Sequence, residues 1–236
     1  MKWGPYSLQD KKYYYTYDGL NRLKKATYSP DELYNEEVPL YDKNGNIIEL
    51  NRSGYVHDFD VETPVYPGLI DELSLEYNGN QLKNVWDNLC DQEYINTTSN
   101  DFRYKYDENI PSNYLYDANG NQYADLNKGI AWIKYNSLNL PQIIQMQNGN
   151  KTEYMYDAAG VKYKAKWGYA VTQQNIPLGQ TTTTNNNLTG VTYTEYCGNY
   201  EYDNGVLKRI HTPEGYVTTT AGIPMNYITP STIGLV

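Results

Sequence analysis

Two histidines, two cysteines and one acidic run are the residues of this 236-residue chain best equipped for chemistry. A catalytic centre needs convergent groups of matched reactivity. His57 and His211 lie far apart in sequence, and the chain holds no Gly-x-Ser-x-Gly elbow and no phosphate-binding glycine loop. No His/Cys cluster has zinc spacing. Asp58, Asp60 and Glu62 alternate, so a strand would carry three carboxylates on one face, fit for calcium or acid–base work. A solvated strand face explains the same spacing. Asp42-Lys43-Asn44-Gly45-Asn46 and Asp117-Ala118-Asn119-Gly120-Asn121 open like calcium loops. An EF-hand needs glycine sixth and glutamate twelfth, however, and here glycine is fourth. Cys90 and Cys197 are too few and too distant to fix a redox compartment, and both free thiols and a disulfide fit them. The sequons at Asn96 and Asn187 matter only in a eukaryotic secretory pathway. The expectation is a protein without enzymatic activity, metal or cofactor.

What the chain repeats is a turn. Tyr-[Asp/Asn]-x-x-[Gly/Asn] occurs at Tyr17-Asp18-Gly19-Leu20-Asn21, at Tyr41-Asp42 with Gly45, and at Tyr116-Asp117 with Gly120. It recurs at Tyr135-Asn136 with Asn139 and at Tyr156-Asp157 with Gly160. Two shortened copies are Tyr77-Asn78-Gly79 and Tyr202-Asp203-Asn204-Gly205. The copies thus start near 17, 41, 77, 116, 135, 156 and 202, and the wider gaps have room for degenerate units. Asp or Asn after the tyrosine accepts a bond from the backbone two residues on. Gly or Asn three residues later tolerates positive φ. Together they predict a type I turn followed by a left-handed residue, and the Asn-Gly copies predict two-residue hairpins.

The flanks read as strands. Val161, Tyr163, Ala165 and Trp167 alternate with Lys162, Lys164 and Lys166, which is period two. Gly129 to Tyr135 is apolar on both faces and predicts better burial. The chain has 28 tyrosines against two phenylalanines. Tyrosine is a strand residue, apolar along its body and polar at its tip, suited to half-wet sheets. A tyrosine burying ~100 Å² gains about 2.5 kcal/mol at ~25 cal/mol per Å². Ordering two backbone residues costs roughly 2–4 kcal/mol, so one hairpin barely breaks even and must stack on its neighbours. The expected fold is all-β: successive antiparallel hairpins joined into a long, twisted and curled sheet. Residues 1–236 read as one such domain, with a low-complexity loop at 181–190 and a Thr- and Ile-rich tail at 216–236.

These copies resemble the tyrosine–aspartate (YD) repeats of the RHS family. "YDGLNRLKKATY", "YDKNGNI" and "YDANGNQ" are close to its consensus. "LEYNGNQLKNVWD", "NKGIAWIKYNSLNLPQII" and "YEYDNGVLKRIHTPEGY" resemble RHS-repeat proteins of Bacteroidetes. The resemblance runs from about Tyr13 to Tyr216. It implies a hairpin ribbon that spirals into a hollow shell, secreted or displayed at the cell surface, often around a C-terminal toxin domain. The chain departs from large members in having too few repeats for a complete shell. It also lacks their Asp-Pro-rich cleavage motif, and no toxin pattern is visible after Gly215. The implied function is a non-catalytic section of such a shell, enclosing or binding a polypeptide. A carbohydrate-binding module is the alternative, with Trp3, Trp86, Trp132 and Trp167 as stacking candidates. The formal charge of −9 argues against nucleic acid, and no apolar run approaches a membrane span. Open sheet edges make edge-to-edge homodimerisation a further expectation.

Overall fold

The computed structural model describes residues 11–29, 33–56, 66–89, 102, 104–105, 107–181, 188–220 and 223–228. Contact density divides the chain into two units, Met1–Tyr114 and Leu115–Val236. Every described element is a β-strand.

In the first unit β1 (Lys12–Tyr17), β2 (Leu23–Ser29), β3 (Glu36–Tyr41), β4 (Ile47–Val56), β5 (Tyr66–Asn78) and β6 (Gln81–Asp87) form one antiparallel sheet in sequence order. At β6, the last strand of this sheet, the Lys83 carbonyl accepts from Asn113 N (3.0 Å) and Ser112 Oγ (3.1 Å). Buried residues here include Ala26, Tyr28, Val38, Ile70, Leu73 and Val85. Asp71 is fully buried, with Arg52 Nη2 2.7 Å from its Oδ2 and the Phe102 amide donating to its Oδ1. Burial pushes its carboxyl up, and those two donors pull the other way.

The second sheet begins at β7 (Tyr114–Tyr116) and continues with β8 (Gln122–Asp125), β9 (Ile130–Tyr135), β10 (Pro141–Met146), β11 (Lys151–Tyr156) and β12 (Lys162–Ala170). β13 (Leu188–Cys197), β14 (Tyr200–Asp203), β15 (Val206–Thr212), β16 (Gly215–Thr220) and β17 (Ile223–Ile228) complete it, again in sequence order. The hairpin ribbon is therefore present as two sheets, neither closed on itself. The tail at 216–236 supplies β16 and β17, and the low-complexity stretch gives its last residues, Leu188 to Gly190, to β13.

Buried apolar residues in the second unit include Ala124, Leu126, Ala131, Ala165 and Ile176. Ile176 comes from the segment after β12, which folds back on the sheet. Ile176 N donates to Gln147 O (2.9 Å) and Gly179 N to Ala131 O (2.8 Å). The better burial expected of β9 is not seen: it buries Ala131 alone and leaves Trp132 and Tyr135 half-buried, whereas the shorter β8 buries Ala124 and Asp125.

Candidate interaction surface

In a meander the chain reverses at every strand, so alternate connections lie on opposite rims of the sheet. The copies at 17, 41 and 77 follow β1, β3 and β5 and share one rim of the first sheet. Those at 116, 135 and 156 follow β7, β9 and β11 and share one rim of the second. The copy at 202 follows β14 and falls on the opposite rim.

Each full copy has the same geometry. Asn21 N donates to Asp18 O (3.0 Å) and Asp18 N to Arg22 O (2.9 Å), which is a type I turn closed by a bulge. The same pair of bonds joins Asp42 with Gly45 and Asn46, Asp117 with Gly120 and Asn121, Asn136 with Asn139 and Leu140, and Asp157 with Gly160 and Val161. The fourth turn residue is left-handed throughout, from φ 57° at Asn139 to 89° at Gly45. The side chain after the tyrosine caps two amides rather than one. Asp117 Oδ1 accepts from Asn119 N (2.9 Å) and Asn121 N (2.8 Å), and Asn136 Oδ1 does the same for Leu138 and Leu140. These bonds hold carboxylates ionised. The Arg22 amide lowers Asp18 most, and the Asn121 side-chain amide lowers Asp117 most.

The shortened copies are two-residue hairpins of different kinds. Asp203 pairs with Val206 around Asn204 and Gly205, both with positive φ, as a type I′ turn needs. Asn78 pairs with Gln81, so the loop is Gly79-Asn80 with positive φ at Gly79 alone. That is the type II′ arrangement, one residue later than the Asn-Gly dipeptide suggests.

The motif tyrosines have a second task that the turn chemistry did not reveal. Tyr41 Oη donates to Leu23 O (2.6 Å), Tyr135 Oη to Gln122 O (2.6 Å) and Tyr156 Oη to Pro141 O (2.8 Å). In each case the acceptor is the sixth residue after the preceding motif tyrosine: 17 to 23, 116 to 122, 135 to 141. Three repeats are thereby stitched to the one before them.

The fifth residue after the tyrosine faces the other way, toward the next turn. Arg22 Nη1 reaches Asp42 O (3.4 Å), and its guanidinium lies 4.4 Å from the Tyr41 ring centre. Asn46 Nδ2 donates to Gly79 O (3.2 Å), and Asn121 Nδ2 to Asn139 Oδ1 (3.1 Å). No single-repeat motif could expose that position, because its residue type changes from arginine to asparagine to leucine.

With the motif residues spent on scaffold, the outward side chains are what a partner would meet. Tyr163, Tyr169, Tyr196 and Tyr200 are exposed on β12 to β14, with Val161, Val191 and Val206 beside them. Cations sit among the rings: Lys162 Nζ lies 4.9 Å from the Tyr154 ring, and Lys164 Nζ lies 4.0 Å from that of Tyr193. On the first sheet Trp86 is exposed, whereas Trp132 and Trp167 are half-buried on the second.

His211 Nε2 lies 3.1 Å from Glu201 Oε2, and Arg209 holds the other oxygen of that carboxylate. Among the described residues no three His, Cys, Asp or Glu side chains gather as metal ligands, and no helix is long and apolar enough to cross a membrane. Cys197 is an exposed free cysteine. Trp3, His57, Asp58, Asp60, Glu62, Cys90, Asn96 and Asn187 lie outside the described residues.

No family model matches this chain, and no curated protein matches it. Among solved structures it is similar to TcdB2-TccC3-TEV, with 14% identity and a TM-score of 0.48 over 93% of this chain and 12% of that one. It is also similar to TcdB2-TccC3, with 11% identity and a TM-score of 0.30 over 90% of this chain and 14% of that one. The chain spans a small part of either.

Proposed function

We propose that this chain is a non-catalytic structural and interaction module, a section of a YD-repeat ribbon that binds or encloses a polypeptide outside the cell. One observation carries the reading: the second sheet leaves large aromatic side chains exposed on β12 to β14. Tyr163 is 45% exposed and Tyr169 55%, while Ala124 and Ala131 are fully buried. Tyrosine contacts are adaptable and partly wet, which suits an extended polypeptide. The repeated Tyr-Asp turns and their stitches supply the rigid frame. The YD resemblance adds the expectation of secretion or surface display and of a cargo segment such as a toxin domain.

A cleft of about 410 Å³ favours glycan as the second reading. Trp132, Tyr123 and Tyr135 line it together with Lys134, Asn136 and Asn139. Aromatic faces beside amide groups are the chemistry of sugar recognition.

A tiled peptide array and a glycan array, both probed with the purified chain, separate the two. Saturable peptide binding that is lost on Tyr163→Ser and Tyr169→Ser supports the polypeptide reading. Glycan binding alone, lost on Trp132→Ala, overturns it.

A further inference from the structure

Tyr17 heads the stitched series. Its later counterparts Tyr41, Tyr135 and Tyr156 each donate to the strand before them. Tyr17 is 57% exposed, and it lies on β1, the outer strand of the first sheet. All six β1 residues are exposed. The opposite outer strand, β6, is capped through Lys83 O, as described above. β1 contains no proline to block pairing. It also ends an aromatic band. Ring centres lie 6.2 Å apart from Tyr55 to Tyr34, 5.4 Å from Tyr34 to Tyr28, 5.1 Å from Tyr28 to Tyr13 and 5.9 Å from Tyr13 to Tyr15.

We propose that β1 is a dimerisation edge, and that its occupant is the β1 of a second copy of this chain, paired antiparallel about a two-fold axis. This goes beyond the cargo-binding reading and does not depend on it. The argument is self-complementarity. In the stitched joints, the end of one strand lies against the start of its antiparallel neighbour: Tyr41 against Leu23, Tyr156 against Pro141. Self-pairing of β1 recreates that relation twice, so each Tyr17 hydroxyl meets a carbonyl at the start of the other β1. Residues directly opposite in a sheet share a face, which an axis near Tyr14 satisfies by setting Tyr13 of one copy across from Tyr15 of the other. The aromatic band then continues across the joint. The result is one twelve-stranded sheet from two six-stranded ones.

Sedimentation equilibrium of the full chain over a wide concentration range tests this, with all variants made on a Cys90→Ser, Cys197→Ser background. The expected result is a monomer–dimer equilibrium that Tyr17→Phe weakens about thirtyfold, for two symmetry-related hydrogen bonds. Tyr14→Cys, beside the axis, then cross-links on mild oxidation, while Tyr169→Cys on the other sheet does not. A chain that stays monomeric throughout overturns the proposal. So does a dimer indifferent to Tyr17→Phe, or one in which Tyr14→Cys fails to cross-link.

Discussion

Gly19 and Gly45 occupy turns of one class in one unit, and alanine at the two positions shifts stability in opposite directions. Gly45 is the fourth residue of its turn, with φ +89° and no atom within 4 Å of an added Cβ. Alanine there meets no clash, so its whole cost is backbone. A left-handed L-residue costs about 1–2 kcal/mol. Restricting the unfolded chain returns roughly 0.4–1 kcal/mol. The net is a loss of about 1 kcal/mol. Gly19 is the second residue of its turn, with φ outside the left-handed range and equally open space. Gly19→Ala keeps the roughly 0.4–1 kcal/mol gain and carries no strain. Urea denaturation followed by far-UV circular dichroism reads the difference, about 1–2 kcal/mol between the variants, since the unfolded-state gain is common to both. The same sign and size for both would refute the assignment of the fourth position as the strained one.

The other predictions draw on the remaining parts of the repeat. Tyr135→Phe removes the bond to Gln122 O and lowers stability by about 0.5–1.5 kcal/mol, while Tyr163→Phe, on an exposed ring, leaves the urea midpoint unchanged. Gly160→Val destabilises by roughly 1–3 kcal/mol, because φ is +81° and an added Cβ stands 3.2 Å from Leu140 Cδ1. Ala158→Ser, in the same turn, is silent by thermal melting. Asp18 and Asp117 have folded pKa values below their unfolded ones. The stability they lend is full above the unfolded value, near pH 4, and is lost as pH falls through the folded value. Asp117→Asn therefore flattens the acid limb of stability against pH while changing little at neutrality, since Asn136 already caps its turn without a charge. Incubation of the purified chain with glycoside, ester and peptide substrates gives no turnover, and the chain itself stays uncut.

The all-β class and the hairpin turns at 42–45, 117–120 and 157–160 were legible because turn chemistry is local. Asp or Asn, then Gly or Asn three residues on, dictates the backbone without help from distant residues. Long-range consequences were not legible. The tyrosine stitch joins positions 13 to 18 residues apart, such as Tyr135 to Gln122 and Tyr41 to Leu23, and its acceptor is a backbone carbonyl that any residue carries. The forward contact at the fifth position hides behind changing residue types, Arg22, Asn46, Asn121 and Leu140. The strands β16 and β17 were missed because no turn motif announces them. Their β-branched residues, Val217 to Thr220, were the available signal.

The central claim is that the outward tyrosines of the second sheet contact a polypeptide. A photo-reactive amino acid at position 163, in the protein produced from its own gene and irradiated in intact cells, tests it directly. The account predicts that mass spectrometry of the purified adducts finds one recurrent peptide sequence joined to residue 163, at a yield that falls when Tyr169 and Tyr200 are changed to serine. Adducts to glycan alone, or a scatter of peptides no different from those captured by the same probe at Lys43 on the first sheet, would contradict it.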